Sequence, residues 1–322
     1  MNTSRLALWM RRTGDYFSRK WAEIRPKSVQ DWVGVVLLVS ITLVLFSFVQ
    51  PAKIFADTTT NGGDTGAHVF APAYLRDNLL KDFRLSGWSQ DWYAGFPIYQ
   101  FYMVVPALMI LALDLIMPYN IAFKLITISG VVLQPLAVYF MARRIRLPFP
   151  LPPLLAVMST YFVLDPNFKI YGGNLVSTLA GEFSFSISLV FALLYIGTLM
   201  RGFVTGGHRR KAALFLGLSA LTHIIPALFA LGATLVVLVV WALSTFPRGL
   251  RYIWLTTLIV ALTSWGVAAG QQLSRSTLVL AAALTGVTAF TLVGVWLATH
   301  AGRMRMWWLV TAGGTGTLLS MF

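Results

Sequence analysis

Two kinds of residue are scarce in this 322-residue sequence, and each scarcity excludes a class of protein. Cysteine is absent, which excludes disulfides, thiolate metal sites and cysteine nucleophiles. Charged residues make up only 11%, against 57% hydrophobic residues and a mean hydropathy of +0.73. This composition excludes a water-soluble globule and predicts an all-α, polytopic transmembrane protein.

Acidic residues are the scarcer charged type, with 11 Asp and Glu against 25 Lys and Arg and a net charge of +14. In a membrane protein, the distribution of these basic residues first indicates on which side of the membrane each loop lies. Residues 1–31 carry seven Lys and Arg interleaved with aromatic and leucine residues. We interpret them as a basic cytoplasmic N-terminal segment on anionic lipid, and we expect no nucleic-acid partner.

The first apolar run, 32–50, follows about thirty polar residues and has no small-residue cleavage site, so we expect a retained anchor. A hydrocarbon core of ~30 Å needs about 20 apolar residues per span. On that basis we predict about nine spans: 32–50, 119–142, 148–164, 183–201, 212–223, 226–244, 252–270, 276–299 and 306–322.

Residues 98–117 are apolar enough to span, but a crossing there would put most later basic loops outside. We therefore predict that 98–117 is re-entrant, entering and leaving on the outer side. The resulting topology has 18 Lys and Arg inside and six outside, with the N-terminus in the cytoplasm of a multi-pass plasma-membrane protein. The predicted domains are the N-terminal segment, a core over 32–250 and C-terminal hairpins over 251–322.

The first outer loop, 51–97, contains the run Asn61-Gly62-Gly63-Asp64-Thr65-Gly66-Ala67-His68. Two glycines permit an unusual backbone, and Asp64 then precedes a helix that begins near Thr65. Asp64 and His68 are four residues apart, so a helix places them on one face. They are candidates for one site. An equal alternative is that Asp64 is a plain helix cap and that His68 lies along a headgroup surface.

Two further polar residues fall on the same predicted side of the membrane. Glu182 precedes the fourth span, and His223 lies at a break that Pro226 imposes between two short helices. Ionisable residues near a bilayer are costly and are candidate functional groups. The alternatives are that Glu182 caps its helix and that His223 only bonds a freed carbonyl.

Several motifs carry a family resemblance over about residues 30–250. They are Gly62-Gly63-Asp64-Thr65 with His68, Gly87-Trp88, the run 91–97, Gln100-Phe101-Tyr102, the stretch 172–183 and Leu221-Thr222-His223. Together they resemble bacterial multi-pass proteins of the GT-C glycosyltransferase superfamily, and more narrowly the membrane proteins often labelled "6-pyruvoyl-tetrahydropterin synthase-related". The pterin label implies a zinc enzyme with three histidine ligands, which four scattered histidines do not support.

The GT-C resemblance implies transfer of a sugar from a polyprenyl-phosphate donor to a cell-envelope acceptor, with Asp64 as the acid near the reacting centre. Asp64 and Glu182 are the catalytic candidates. A divalent metal is a possible cofactor, and its possible ligands are Asp64, His68, Glu182 and His223. Candidate substrate-binding residues are Arg84, Trp88, Asp91, Trp92, Tyr93, Asn174 and Lys169, the aromatic ones being alternatively an interfacial belt.

The competing class is a membrane protein without catalysis, either a transporter or a scaffold subunit of envelope assembly. Transporters often have matching broken helices in two halves of the chain. Here the break near His223 has no counterpart in the first half. The two classes predict different consequences of an Asp64 substitution.

Overall fold

The computed structural model describes residues 26, 28–92, 94–100, 103–167, 170–245 and 248–270, together with 282–283, 285–290, 293–294, 297 and 300–320. This part of the chain is helical apart from one short hairpin, which confirms the all-α prediction. Its helices are α1 (Val29–Phe48), α2 (Pro51–Ile54), α3 (Thr65–Tyr74), α4 (Val104–Asp114), α5 (Tyr119–Arg144), α6 (Leu151–Leu164), α7 (Leu175–Ser177), α8 (Phe183–Thr205), α9 (Arg209–Thr222), α10 (Ile224–Thr245), α11 (Arg248–Gly270) and α12 (His300–Leu319).

Irregular segments extend two of these helices. A π-helical turn, Leu75–Leu79, and a 3-10 turn, Leu80–Asp82, follow α3, while a second π-helical turn, Thr178–Glu182, joins α7 to α8. The hairpin pairs β1 (Gly87–Ser89) antiparallel to β2 (Phe96–Ile98).

Helix α8 is the centre of the bundle and packs against α5, α9 and α10, while α12 packs against α9. Glycine allows the closest of these contacts: a Cβ on Gly130 of α5 would lie 2.5 Å from the backbone nitrogen of Ile187. Buried hydroxyls join α8 to α9, since Ser188 Oγ and Ser219 Oγ are 2.9 Å apart. Small residues and buried hydroxyls are typical of helix contacts in membranes.

Four helices are long and apolar enough to cross a membrane: Val29–Phe48, Tyr119–Arg144, Leu175–Thr205 and Ile224–Trp241. They correspond to the first, second, fourth and sixth predicted spans. Helices α6 and α9 have 14 residues each, about 21 Å, and are shorter than the hydrocarbon core. The count of nine spans therefore stays a prediction, and 276–299 lies largely outside the described residues.

The segment predicted to be re-entrant forms a short helix rather than a span. Helix α4 has 11 residues, about 16 Å, roughly half of what a crossing requires. Asp114 at its end accepts a hydrogen bond from Arg76 Nη1 at 2.7 Å. This bond connects α4 to the segment that follows α3. Arg76 also pairs with Asp77, at 2.8 Å. Whether α4 enters the membrane stays a prediction.

The predicted break near His223 is confirmed, with two corrections of its bounds. His223 has an extended backbone, φ −160° and ψ 131°, and separates α9 from α10 by one residue. Helix α10 begins at Ile224 rather than 226, because proline is tolerated in the first turn of a helix. Helix α9 begins at Arg209 rather than 212.

The bundle has two chemically different ends. At one end, the backbone N–H of Asp64 donates to the carbonyl of Ala180 at 2.8 Å, so the loops 51–97 and 165–182 meet there. Helix α5 has 26 residues, and its far end is therefore about 39 Å away. At that far end Arg143 pairs with Asp31 at 3.0 Å. The loops 51–97 and 165–182, which were predicted to lie on one side of the membrane, therefore lie at one end of the bundle.

Cysteine labelling can determine which end of the bundle faces the cytoplasm, because the chain has no cysteine of its own. Gln90 and Thr205 are both exposed, the first in the outer loop and the second at the end of α8. In intact cells we expect an impermeant maleimide to label Gln90→Cys, and to label Thr205→Cys only after permeabilisation. The reverse pattern would invert the topology.

Candidate active site

Two backbone segments meet at the end of the bundle that was predicted to face outward: residues 61–65, and the π-helical turn 178–182. We call their contact the loop seam. Besides the Asp64 N–H bond to Ala180, Thr65 Oγ1 donates to the Leu179 carbonyl at 2.8 Å. These bonds fix the start of α3 against the start of α8, and with them the side chains that each start carries.

Glycine makes the loop seam possible on both sides. Gly63 has a φ of +51°, and a Cβ there would collide with the carbonyl oxygen of Ala180. Gly181 has a φ of +130°, and its Cβ would lie 2.9 Å from the Cβ of Asp64. Both positions therefore require glycine for conformation and for space.

Asp64 and Glu182 occupy equivalent positions, each immediately before a helix, yet neither side chain forms a capping hydrogen bond. The alternative that these acids serve as side-chain caps is therefore wrong, although the Glu182 carboxylate still lies near the positive end of α8. Asp64 is exposed, and the Glu182 side chain is 41% exposed. Both carboxylates are accessible to a ligand.

His223 lies between α9 and α10, with its Nε2 3.8 Å from Glu182 Oε2. Its Nδ1 accepts a hydrogen bond from the Ile225 N–H at 3.3 Å. Because Nδ1 is the acceptor, the proton of the neutral ring is on Nε2.

His68 lies one turn along α3 from Asp64, and its backbone N–H donates to the Asp64 carbonyl at 3.1 Å. Its ring packs edge-on against Phe183, with 5.6 Å between centroids. Burial lowers the pKa of His68, and the negative charge of Asp64 acts in the opposite direction. Asp64 is also close enough to interact electrostatically with Glu182. The structure thus brings Asp64, His68, Glu182 and His223 to one place.

This set does not fit a metal site. Among the described residues, no group of three or more His, Asp or Glu side chains is arranged to hold a metal ion. Each histidine ring packs against a phenylalanine ring, His68 against Phe183 and His223 against Phe185. No step proposed below uses a metal.

Trp92 shares a cavity with His68. Its ring lies between those of Phe70 and Phe96, with centroid distances of 5.7 and 5.9 Å. Together with His68 it lines a mostly apolar cavity of about 170 Å³ that also touches Tyr99 and Met103. His68 is thus the member of the set that borders this apolar surface.

The other predicted substrate-binding residues have separate positions. Arg84 pairs with Asp82 at 2.8 Å, with both side chains 60% exposed. Trp88 and Asp91 are exposed on the hairpin. Asn174 is fully buried, caps α7 by accepting from the Ser177 N–H, and donates to the Asp165 carbonyl, so its predicted contact with substrate is corrected to a structural role. Tyr93 and Lys169 lie outside the described residues.

Sequence reasoning missed two residues that position the site. Gly181 gives Asp64 its place, and Ser188 donates to the His223 carbonyl at 3.0 Å. The alternating run Ser184, Ser186 and Ser188 in an otherwise apolar helix was the available signal for the second.

No family model, curated protein or solved structure matches this chain. The arrangement of the site must therefore be interpreted from its own geometry.

The loop seam predicts different effects on thermal stability for alanine substitutions at two nearby glycines, Gly63 and Gly66. We expect Gly63→Ala to lower the melting temperature of the purified protein markedly, because the new Cβ meets the Ala180 carbonyl and the backbone is left-handed. Gly66→Ala is the matched control, since its Cβ meets nothing within 4 Å and alanine favours a helix. Equal melting temperatures for the two variants would contradict the loop seam.

Proposed function

We propose that the protein is a GT-C-type membrane glycosyltransferase that moves a sugar from a polyprenyl-phosphate donor to an envelope acceptor on the non-cytoplasmic face. One observation carries the proposal. Asp64 and Glu182 both precede helices without forming side-chain caps, and they lie near each other and near His223 at one end of a helical bundle. Accessible carboxylates that fold stability does not employ are available for chemistry.

In the proposed reaction Asp64 is the general base. Its carboxylate takes the proton of an acceptor hydroxyl, and the hydroxyl oxygen forms a bond to the anomeric carbon of the sugar. The bond from that carbon to the phosphate oxygen breaks with its electron pair, and the lipid phosphate leaves from the opposite face. The anomeric centre is inverted, and the proton remains on Asp64 until it passes to solvent.

Glu182 and His223 have a positioning role in this scheme. The 3.8 Å gap between His223 Nε2 and Glu182 Oε2 is too long for a direct hydrogen bond. The Glu182 carboxylate, whose side chain is 41% exposed, would accept a hydrogen bond from a sugar hydroxyl. The Nδ1 contact to Ile225 and the Ser188 contact to the His223 carbonyl hold this histidine in place.

The apolar surroundings suit a lipid-linked substrate. Trp92 and Phe96 line the cavity next to His68, and an aromatic face packs well against the apolar face of a sugar ring or an isoprenoid unit. His68 connects the proposed site to this largely apolar pocket, and mostly apolar pockets with a few polar groups are usual for small-molecule sites.

We expect Asp64→Asn to lower the release of polyprenyl phosphate from polyprenyl-phosphate sugars by at least ~10²-fold, the usual contribution of a general base. Donor binding and the amount of folded protein should be unchanged. The measurement is turnover of a panel of radiolabelled polyprenyl-phosphate monosaccharides by the purified protein in liposomes.

Asp77→Asn and Asp82→Asn are the matched controls. Both carboxylates lie in the same outer loop and pair with exposed arginines, Arg76 and Arg84, and exposed pairs of this kind contribute ~0–1 kcal/mol. They should keep nearly full activity. Full activity of Asp64→Asn would refute the proposal, and so would an absence of turnover by the unaltered protein, which a scaffold or transporter predicts.

A further inference from the structure

A separate cavity lies beside the loop seam, between the end of α1 and the start of α5. Its volume is about 280 Å³, and its polar lining is Gln50, Lys53, Thr60, Asn61, Thr65, Lys124 and Thr127. Phe48, Val49 and Ile128 contribute to an apolar wall. Two lysines and no carboxylate line this space, so its character is basic.

Lys124 gives the cavity a buried positive charge. It is only 5% exposed, and its Nζ donates to the carbonyls of Lys53 and Ala56 and, at 3.5 Å, to Thr58 Oγ1. No carboxylate in the described part of the chain lies within 4.0 Å of this ammonium group. A buried charge that is balanced only by dipoles is costly, and a nearby anion relieves that cost.

Asp57, in the same loop, is engaged elsewhere. Its Oδ1 accepts from Asn120 Nδ2 at 2.9 Å. Lys53, in α2, is exposed, and its ammonium group has no partner among the described residues. The cavity therefore has a second cation with all of its protons available to a ligand.

Thr60 provides an unused hydrogen-bond donor. Its Oγ1 is buried and has no hydrogen-bond partner within the described residues. Leaving a buried hydroxyl unsatisfied is unfavourable, so a ligand atom that accepts a hydrogen bond would stabilise this position. Lys53, Thr60 and the Asn61 side-chain amide are three donors around one cation-rich space.

We propose that this cavity binds a phosphate group, carried by a membrane lipid or free in solution. Lys124 contributes its charge, and Lys53 and Thr60 contribute hydrogen bonds to phosphate oxygens. Lys124 lies five residues after the start of α5, roughly 7 Å along the helix, a depth that suits a headgroup beside an apolar wall. The inference does not depend on the transfer reaction, because it concerns binding alone.

The test uses the purified full-length protein in detergent, with short-chain phosphatidic acid and inorganic phosphate as probes. Binding is measured by native mass spectrometry and by the rise in melting temperature. Lys124 is left unchanged because it also holds the 53–58 loop. We expect Lys53→Met and Thr60→Val each to weaken binding by about tenfold, the usual effect of losing a hydrogen bond to a charged group.

Lys81→Met and Thr59→Val, exposed residues outside the cavity lining, are the controls and should bind as the unaltered protein does. Saturation by inorganic phosphate alone would assign the site to free phosphate, and a requirement for acyl chains would assign it to a lipid headgroup; both support the proposal. Failure of both probes to bind, equal binding by all four variants, or an equal response to uncharged diacylglycerol would overturn it.

Discussion

The close approach of residues 61–65 to the turn 178–182 is the contact on which the site depends. Two backbones can lie this near only because Gly63 and Gly181 have no side chains and adopt left-handed conformations. The Asp64 N–H, which would otherwise be an unpaired donor ahead of a helix, is satisfied by the Ala180 carbonyl. The carboxylate of Asp64 forms no capping hydrogen bond to the helix and is exposed.

The packing of α8 in the bundle holds one side of this contact in place. Helix α8 carries Glu182 at its start, Ser188 two turns later and an apolar remainder that packs on α5, α9 and α10. Ser188 reaches across to the His223 carbonyl, so the break between α9 and α10 is fixed by the same helix that presents Glu182. One rigid element thus positions both partners of the 3.8 Å pair.

The sequence was informative wherever a local rule decides the structure. Spacing placed Asp64 and His68 on one face of α3, and Pro226 placed the break near His223. Charge distribution argued against a full crossing at 98–117, and α4 is indeed too short for one. These features depend on a few neighbouring residues, so an amino-acid pattern is enough to predict them.

Other features depend on residues distant in the chain and were not predictable from local patterns. Helix-capping preferences made Asp64 and Glu182 look like caps, but neither side chain forms a capping hydrogen bond, and a backbone contact more than a hundred residues away holds Asp64 in place. Asn174 looked like a loop residue facing substrate, whereas it is buried and holds Asp165. The charge of Lys124 in an apolar run was visible, but the cavity around it was not.

The central claim is that Asp64 and Glu182 belong to one site, and the most direct measurement is cross-linking in the native membrane. Because the chain has no cysteine, the double variant Asp64→Cys/Glu182→Cys can be treated with a short bifunctional thiol reagent and analysed by mass spectrometry. The account predicts an efficient intramolecular cross-link for this pair and little for Asp77→Cys/Glu182→Cys. Absence of the first cross-link, or equal yields for both pairs, would contradict it.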